Sequence, residues 1–198
     1  MTSGAEAGKG GLPIHFFADQ AAFARWLALQ PRSSPGLWLR LANKGAPQPG
    51  QTKQQAIDAA LCHGWIDGQL DKYDTWHWLI RFTPRTARSK WSQINCARAE
   101  ELIASGQMQD AGLAEIVAAK ADGRWAAAYA PASTSVVPPD LQAAFDAQPD
   151  AGAFFATLTG ANRYAVLYRI GSVKRAETRA RKIEQFVAML ARGETLHD

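Results

Sequence analysis

Residues 65–84 read WIDGQLDKYDTWHWLIRFTP. Two runs rich in apolar and aromatic residues, WIDGQL and WHWLIRFT, flank the polar turn DKYD, which is the pattern of an antiparallel hairpin. Side chains alternate along a strand, so Trp76, Trp78, Ile80 and Phe82 share one face of the second run. His77, Leu79, Arg81 and Thr83 share the other. Pro84 has no N–H for a ladder and ends the strand.

Upstream of the hairpin, LWLRLA (37–42) alternates Leu37, Leu39 and Leu41 against Trp38 and Arg40, which predicts a third strand with one buried face. Asp19 can cap a helix whose Phe23, Trp26 and Leu27 share a face, and Pro31 and Pro35-Gly36 end it. Thr52 and Gln55 have the spacing of a capping box and open a helix with Ile57, Ala60 and Leu61 inside. Gly64 suits the position just past its end.

Downstream, Ser89 or Ser92 can cap a helix that runs to Gly106, and a further helix fits 111–121 with Leu113, Ile116 and Val117 inward. The composition then changes. APASTSVVPPD reads as a linker, all seven tryptophans precede it, and only helical patterns follow, over 140–147, 150–158, 161–171 and 174–192. Ile183, Phe186, Val187 and Leu190 form the inner stripe of the last. The expected fold is α+β: a small antiparallel sheet packed with helices, then a helical C-terminal section. Its expected parts are a flexible tail over 1–12, an α+β domain over 13–129, a linker over 130–139 and helices over 140–193.

The chain has 198 residues, 47% of them apolar, which is ample for a packed core and excludes global disorder. A net charge of +4 is compatible with an anionic partner. The N-terminal MTSGAEAGKGGLP has no apolar core of a signal peptide, and no run of apolar residues is long enough to span a bilayer. The expectation is a cytoplasmic protein without a membrane span. Cys62 and Cys96 are isolated and read as buried thiols. With no CxxC, no HExxH and no third spaced ligand, neither a metal nor another cofactor is implied.

The densest chemistry lies in FTPRTARSKWSQIN, residues 82–95. No Asp or Glu occurs from Thr75 to Ala99, while Arg81, Arg85, Arg88, Lys90 and Arg98 do. Arginine's planar fork matches carboxylate and phosphate oxygens, and a helix N-terminus adds open N–H groups. The candidate anion site is therefore Arg85, Arg88, Ser89, Lys90, Trp91 and Ser92, with the hydroxyls as contacts or caps and Trp91 as a wall. A solvated basic loop, paired with carboxylates elsewhere, is the plainer reading. Asp67 stands by as a partner for Arg85 or Arg88, or as a general base. A second basic stretch, 163–182, puts Arg175, Arg179 and Lys182 at helical spacing, and Arg175 and Arg179 are taken as supporting residues.

Five ordered blocks carry a family likeness: CHGWIDG (62–68), FTPRTARSKWSQIN (82–95), GQMQDAGL (106–113), ADGRW (121–125) and VKRAETRARKIE (173–184). Through them the chain resembles the YdeI/OmpD-associated family over about residues 16–193. The resemblance implies a bacterial protein associated with protection against bacteriocins and cationic antimicrobial peptides. It supplies no catalytic residues to carry over, and the family's name points to a periplasmic setting near a porin, where this chain shows no export signal.

The function expected is thus a stress or antimicrobial-protection protein that binds a small anionic ligand. The alternatives are a nucleic-acid-binding module using both basic stretches, which is less favoured, and an enzyme acting on an anionic small molecule with Asp67 as base. No catalytic residue is assigned, and no oligomeric state follows from the sequence.

Overall fold

A computed structural model describes residues 8–197. It divides into two compact units, residues 1–128 and 129–198. The architecture is α+β, and all seven tryptophans fall in the first unit.

The first unit is built on a four-stranded sheet in the order β1-β2-β4-β3, with β1 at Ile14–His15, β2 at Leu37–Ala42, β3 at Trp65–Lys72 and β4 at His77–Pro84. The expected hairpin is β3–β4, antiparallel from Trp65 opposite Pro84 to Lys72 opposite Trp78, with an irregularity between Asp67 and Leu70. β2 pairs antiparallel with β4, Leu37 facing Phe82 and Ala42 facing His77. The sheet is mixed rather than wholly antiparallel, because β1 runs parallel to β2. Parallel neighbours need a crossover. Here it contains α1, Gln20–Ala28, capped by Asp19, whose Oδ1 accepts from Ala22 N–H at 2.7 Å. A two-residue strand is too short to show alternation, so the sequence pattern carries no sign of it.

One sheet face lies under α1 and α2 (Lys53–Cys62). Phe23 and Leu27 meet Leu37, Leu39, Leu41, Ile80 and Phe82 there. Thr52 and Gln55 make the expected capping box. The second face of β2 is also covered, against the expectation of one buried face. Trp38 is only 2% exposed and clusters with Leu12 and Leu79. Residues 8–12 lie over it, and the Trp38 indole N–H donates to Lys9 O at 3.0 Å. The remainder of the expected tail, residues 1–7, is outside the described residues. Trp76 is 47% exposed in the turn and does not share the inner face with Trp78, Ile80 and Phe82. Asp74 holds that turn, accepting from the N–H groups of Trp76 and His77 at 2.7 and 2.8 Å.

α3, Gln93–Ala104, is capped by Ser92, whose Oγ accepts from Asn95 N–H at 3.1 Å. α4, Asp110–Ala121, turns Ile116 inward, but Leu113 and Val117 are 37% and 65% exposed rather than buried. The cause is Gly112. A Cβ there would lie 2.5 Å from Cys62 O and 2.6 Å from Leu61 O. This close approach fixes Gly112, Ile116 and Ala119 (i, i+4, i+7) as the buried face. Cys62 and Cys96 are free and buried in the same cluster, and burial pushes the Cys62 thiol up to about 11.

The second unit is four helices: α5 (Pro139–Ala147), α6 (Pro149–Thr157), α7 (Gly160–Gly171) and α8 (Ala176–Ala191). The expected stripe Ile183, Phe186, Val187 and Leu190 is wholly buried, against Leu141, Phe145, Phe155 and Ile170.

Asp58, on α2, is 5% exposed and bound bidentately by Arg98 of α3, with both contacts at 2.8 Å, and singly by Gln54 at 2.9 Å. Burial pushes its carboxyl up, but the bonds from Arg98 and Gln54 and the Arg98 charge outweigh this and hold it below its usual value. The stability this pair contributes is present above the ordinary carboxylate range and is lost as pH falls through the lowered value. Arg98→Ala strands the carboxylate. Since Arg98 is 34% exposed, the loss at neutral pH is expected at the low end for a buried pair, about 3 kcal/mol, and to shrink in acid. Urea melts of both proteins across pH check it. Limited proteolysis is expected to cut first between residues 130 and 138, apart from the extreme N-terminus, since Val136 there is 80% exposed. Mass mapping of the first fragments is the readout.

Candidate anion-binding site

The loop after Pro84 is organised around Arg85, which is 2% exposed. Its backbone N–H donates to Gly64 O at 2.9 Å. Its Nε donates to Trp65 O at 3.3 Å and its Nη1 to Lys90 O at 3.2 Å. The guanidinium lies 3.6 Å from the centroid of the Trp91 ring, which in turn packs on Trp125. A second arginine braces the loop from outside, as Arg124 Nη1 donates to Thr86 O and Ser89 O, each at 3.2 Å. Ser89 Oγ closes the turn by accepting from Thr86 N–H at 3.0 Å, and Ser92 is buried as the α3 cap.

The six expected residues therefore lie together but serve different ends. Arg85, Trp91, Ser89 and Ser92 hold the backbone in shape. Arg88 and Lys90 are exposed. Asp67 stands opposite Phe82, in register with the core face, and among the described residues it has no hydrogen bond or ion pair with Arg85 or Arg88. Arg175 and Arg179 belong to the second unit. Arg175 is exposed at the N-cap of α8, and Arg179 binds Asp140 through Nε and Nη2 and donates to Ile170 O at 2.8 Å.

The outer face of the sheet holds another set of cations. Arg40 on β2 stands opposite Leu79 on β4, so it is diagonal to both His77 and Arg81, about 7–8 Å away between Cα atoms. Arg40 is half-buried, with its guanidinium carbon 5.0 Å from the Phe16 ring centroid and 5.6 Å from that of Tyr73. The Nε atoms of Arg40 and Arg81 are buried and, among the described residues, have no hydrogen-bond partner. His77 is similar: its Nδ1 lies 3.0 Å from both oxygens of Asp74, while Nε2 is buried and unpartnered. Asp71 shares this face but is paired with Lys9 at 2.8 Å.

A buried donor left unmet costs about 1–3 kcal/mol, more when charged. Register places two such donors, Arg40 and Arg81, on one sheet face at diagonal positions. Nε–H and the adjacent Nη–H of arginine point the same way and can donate to two oxygens side-on. The rings of Phe16 and Tyr73 limit the swing of Arg40. The sequence pattern puts His77 and Arg81 on one face of their strand and Arg40 opposite the leucine face of its own. What it lacked was the β2–β4 register that brings the three together. The available signal was a pair of outward arginines at alternating strand positions with no carboxylate beside them. Among the described residues no three His, Cys, Asp or Glu side chains gather as a metal site.

Residues 15–115 match a family model described as a domain of unknown function, DUF8412. Residues 134–193 match a second, described as Bacteriocin-protection, YdeI or OmpD-Associated. The family likeness expected over nearly the whole chain is thus matched over its last block, VKRAETRARKIE, and three of the other four blocks fall within the first model. No curated protein and no solved structure matches the chain.

The loop geometry separates Arg85 and Arg88 by role. Arg85→Ala removes a desolvated cation–π contact and two bonds to carbonyls, an expected loss of about 3 kcal/mol. Arg88→Ala is expected to stay within about 0.5 kcal/mol of wild type. Denaturant unfolding of the two variants checks this, and equal effects would refute it.

Proposed function

This chain belongs to the DUF8412 domain family over residues 15–115, and we propose that this domain binds a small anionic ligand on the outer face of its sheet. The observation that supports the reading is the pair of buried, unpartnered Nε atoms of Arg40 and Arg81. Arg88 and Lys90, exposed on the neighbouring loop, add positive potential that attracts an anion over distance. The bacteriocin protection named by the second family match would then act through this binding rather than by capture of a cationic peptide. A chain of net charge +4 with unpaired arginines repels cations and holds anions. Asp67, the base in an enzymatic reading, stands in register with the core face, away from these arginines.

Thermal melts at constant ionic strength, with and without inorganic phosphate, test the proposal. Phosphate is expected to raise the wild-type midpoint, by the equivalent of about 2.7 kcal/mol at a hundredfold excess over Kd. Arg40→Gln and Arg81→Gln should each lose most of that rise. An unchanged rise in both variants would put the anion elsewhere. Tight binding of a single-stranded oligonucleotide that collapses steeply with salt would favour a nucleic-acid module instead.

A further inference from the structure

We propose that the oxyanion this face selects is phosphate-like, a group that carries its own ionisable hydroxyl, and that His77 makes the selection. This rests on the reading that Arg40 and Arg81 bind an anion. Asp74 is fixed in the turn by the N–H groups of Trp76 and His77, and both its oxygens lie 3.0 Å from His77 Nδ1. A carboxylate only accepts, so the imidazole proton resides on Nδ1. In the neutral ring Nε2 is then a bare lone pair. It is buried, it has no partner, and alternation along β4 places His77 on the same face as Arg81. Tyr73, which stands against Arg40, meets the His77 ring edge-on at 6.4 Å between centroids.

Two arginines alone treat phosphate and sulfate alike, since both are tetrahedral and carry similar charge. The lone pair on Nε2 separates them. Sulfate and a carboxylate present only acceptor oxygens near neutral pH, so beside Nε2 they set lone pair against lone pair unless the ring first draws a proton from solvent. Hydrogen phosphate, or a singly protonated phosphate monoester, brings that proton. Its O–H donates to Nε2 while two other oxygens accept from the guanidinium edges. If the proton crosses, the monoester becomes a dianion, or hydrogen phosphate a trianion, against an imidazolium. The count of protons is the same in both descriptions, and no bond to phosphorus forms or breaks.

Calorimetric titration of the full chain with inorganic phosphate and with sulfate, at about pH 8, above the ordinary imidazole range, decides it. Wild type is expected to bind phosphate about tenfold or more tightly than sulfate, the equivalent of one buried unmatched polar contact. His77→Ala should retain both anions through the arginines and lose the preference. Asp74→Asn keeps a turn-forming side chain but no longer pins the proton to Nδ1, so sulfate should gain and the preference should narrow. Equal binding of both anions by wild type overturns the role of His77 and leaves the anion site standing. A preference that persists in both variants also overturns it. Binding of neither anion to wild type removes the site itself.

Discussion

The pairing of β2 with β4 is the constraint on which the rest of the first unit depends. Side chains alternate with a period of two, so a slip of one residue exchanges the faces of a strand. In the observed register Leu37, Leu39 and Leu41 face α1 and α2 together with Ile80 and Phe82. The same register turns Trp38 and Leu79 to the other side, where residues 8–12 meet them, and sets Arg40 between His77 and Arg81. Core and cation cluster are two results of one alignment. Any change that moves the register to relieve the arginines would expose the leucines, and the hydrophobic term is much the larger, at about 1.5–3 kcal/mol for each leucine side chain.

Arg85 and Arg40 show how differently one residue type is satisfied within a single domain. Arg85 spends its donors on carbonyl oxygens and its planar face on Trp91. Carbonyl dipoles and a ring quadrupole replace part of its hydration. Arg40 has aromatic neighbours too, but no oxygen reaches its Nε. The first arrangement serves the backbone. The second leaves a buried Nε donor unmet among the described residues.

Much of the fold was legible in the sequence, for reasons that can be named. The hairpin, the Asp19 cap, the Thr52–Gln55 capping box and the Ile183–Leu190 stripe are local patterns, and local geometry realises them. The misreadings were non-local. Leu113 and Val117 look like an inner helical stripe until Gly112 lets α4 approach the end of α2 on a different face. β1 is too short to announce itself. Trp76 is the local exception, drawn into the turn by Asp74 two residues before it. The same division runs through the chemistry. A run of cations in 82–95 is visible as a run, yet Arg85 within it proves to be internal bracing. The Arg40–His77–Arg81 set is scattered over more than forty residues of chain, and only strand pairing assembles it.

The confinement of every tryptophan to residues 1–128 gives the molecule two separate optical voices. Indole emission excited at the red edge comes from the sheet unit alone, with Trp38, Trp65 and Trp91 almost wholly shielded from water. The helical unit contributes Tyr129, Tyr164 and Tyr168, whose absorbance lies at shorter wavelength, and most of its signal is in the far-ultraviolet dichroism of its four helices. A single unmodified sample thus reports the melting of the sheet unit through its tryptophans, and that of both units together through the far-ultraviolet dichroism of α1 to α8. Whether the two transitions coincide is a direct measure of how far the units fold as one cooperative body.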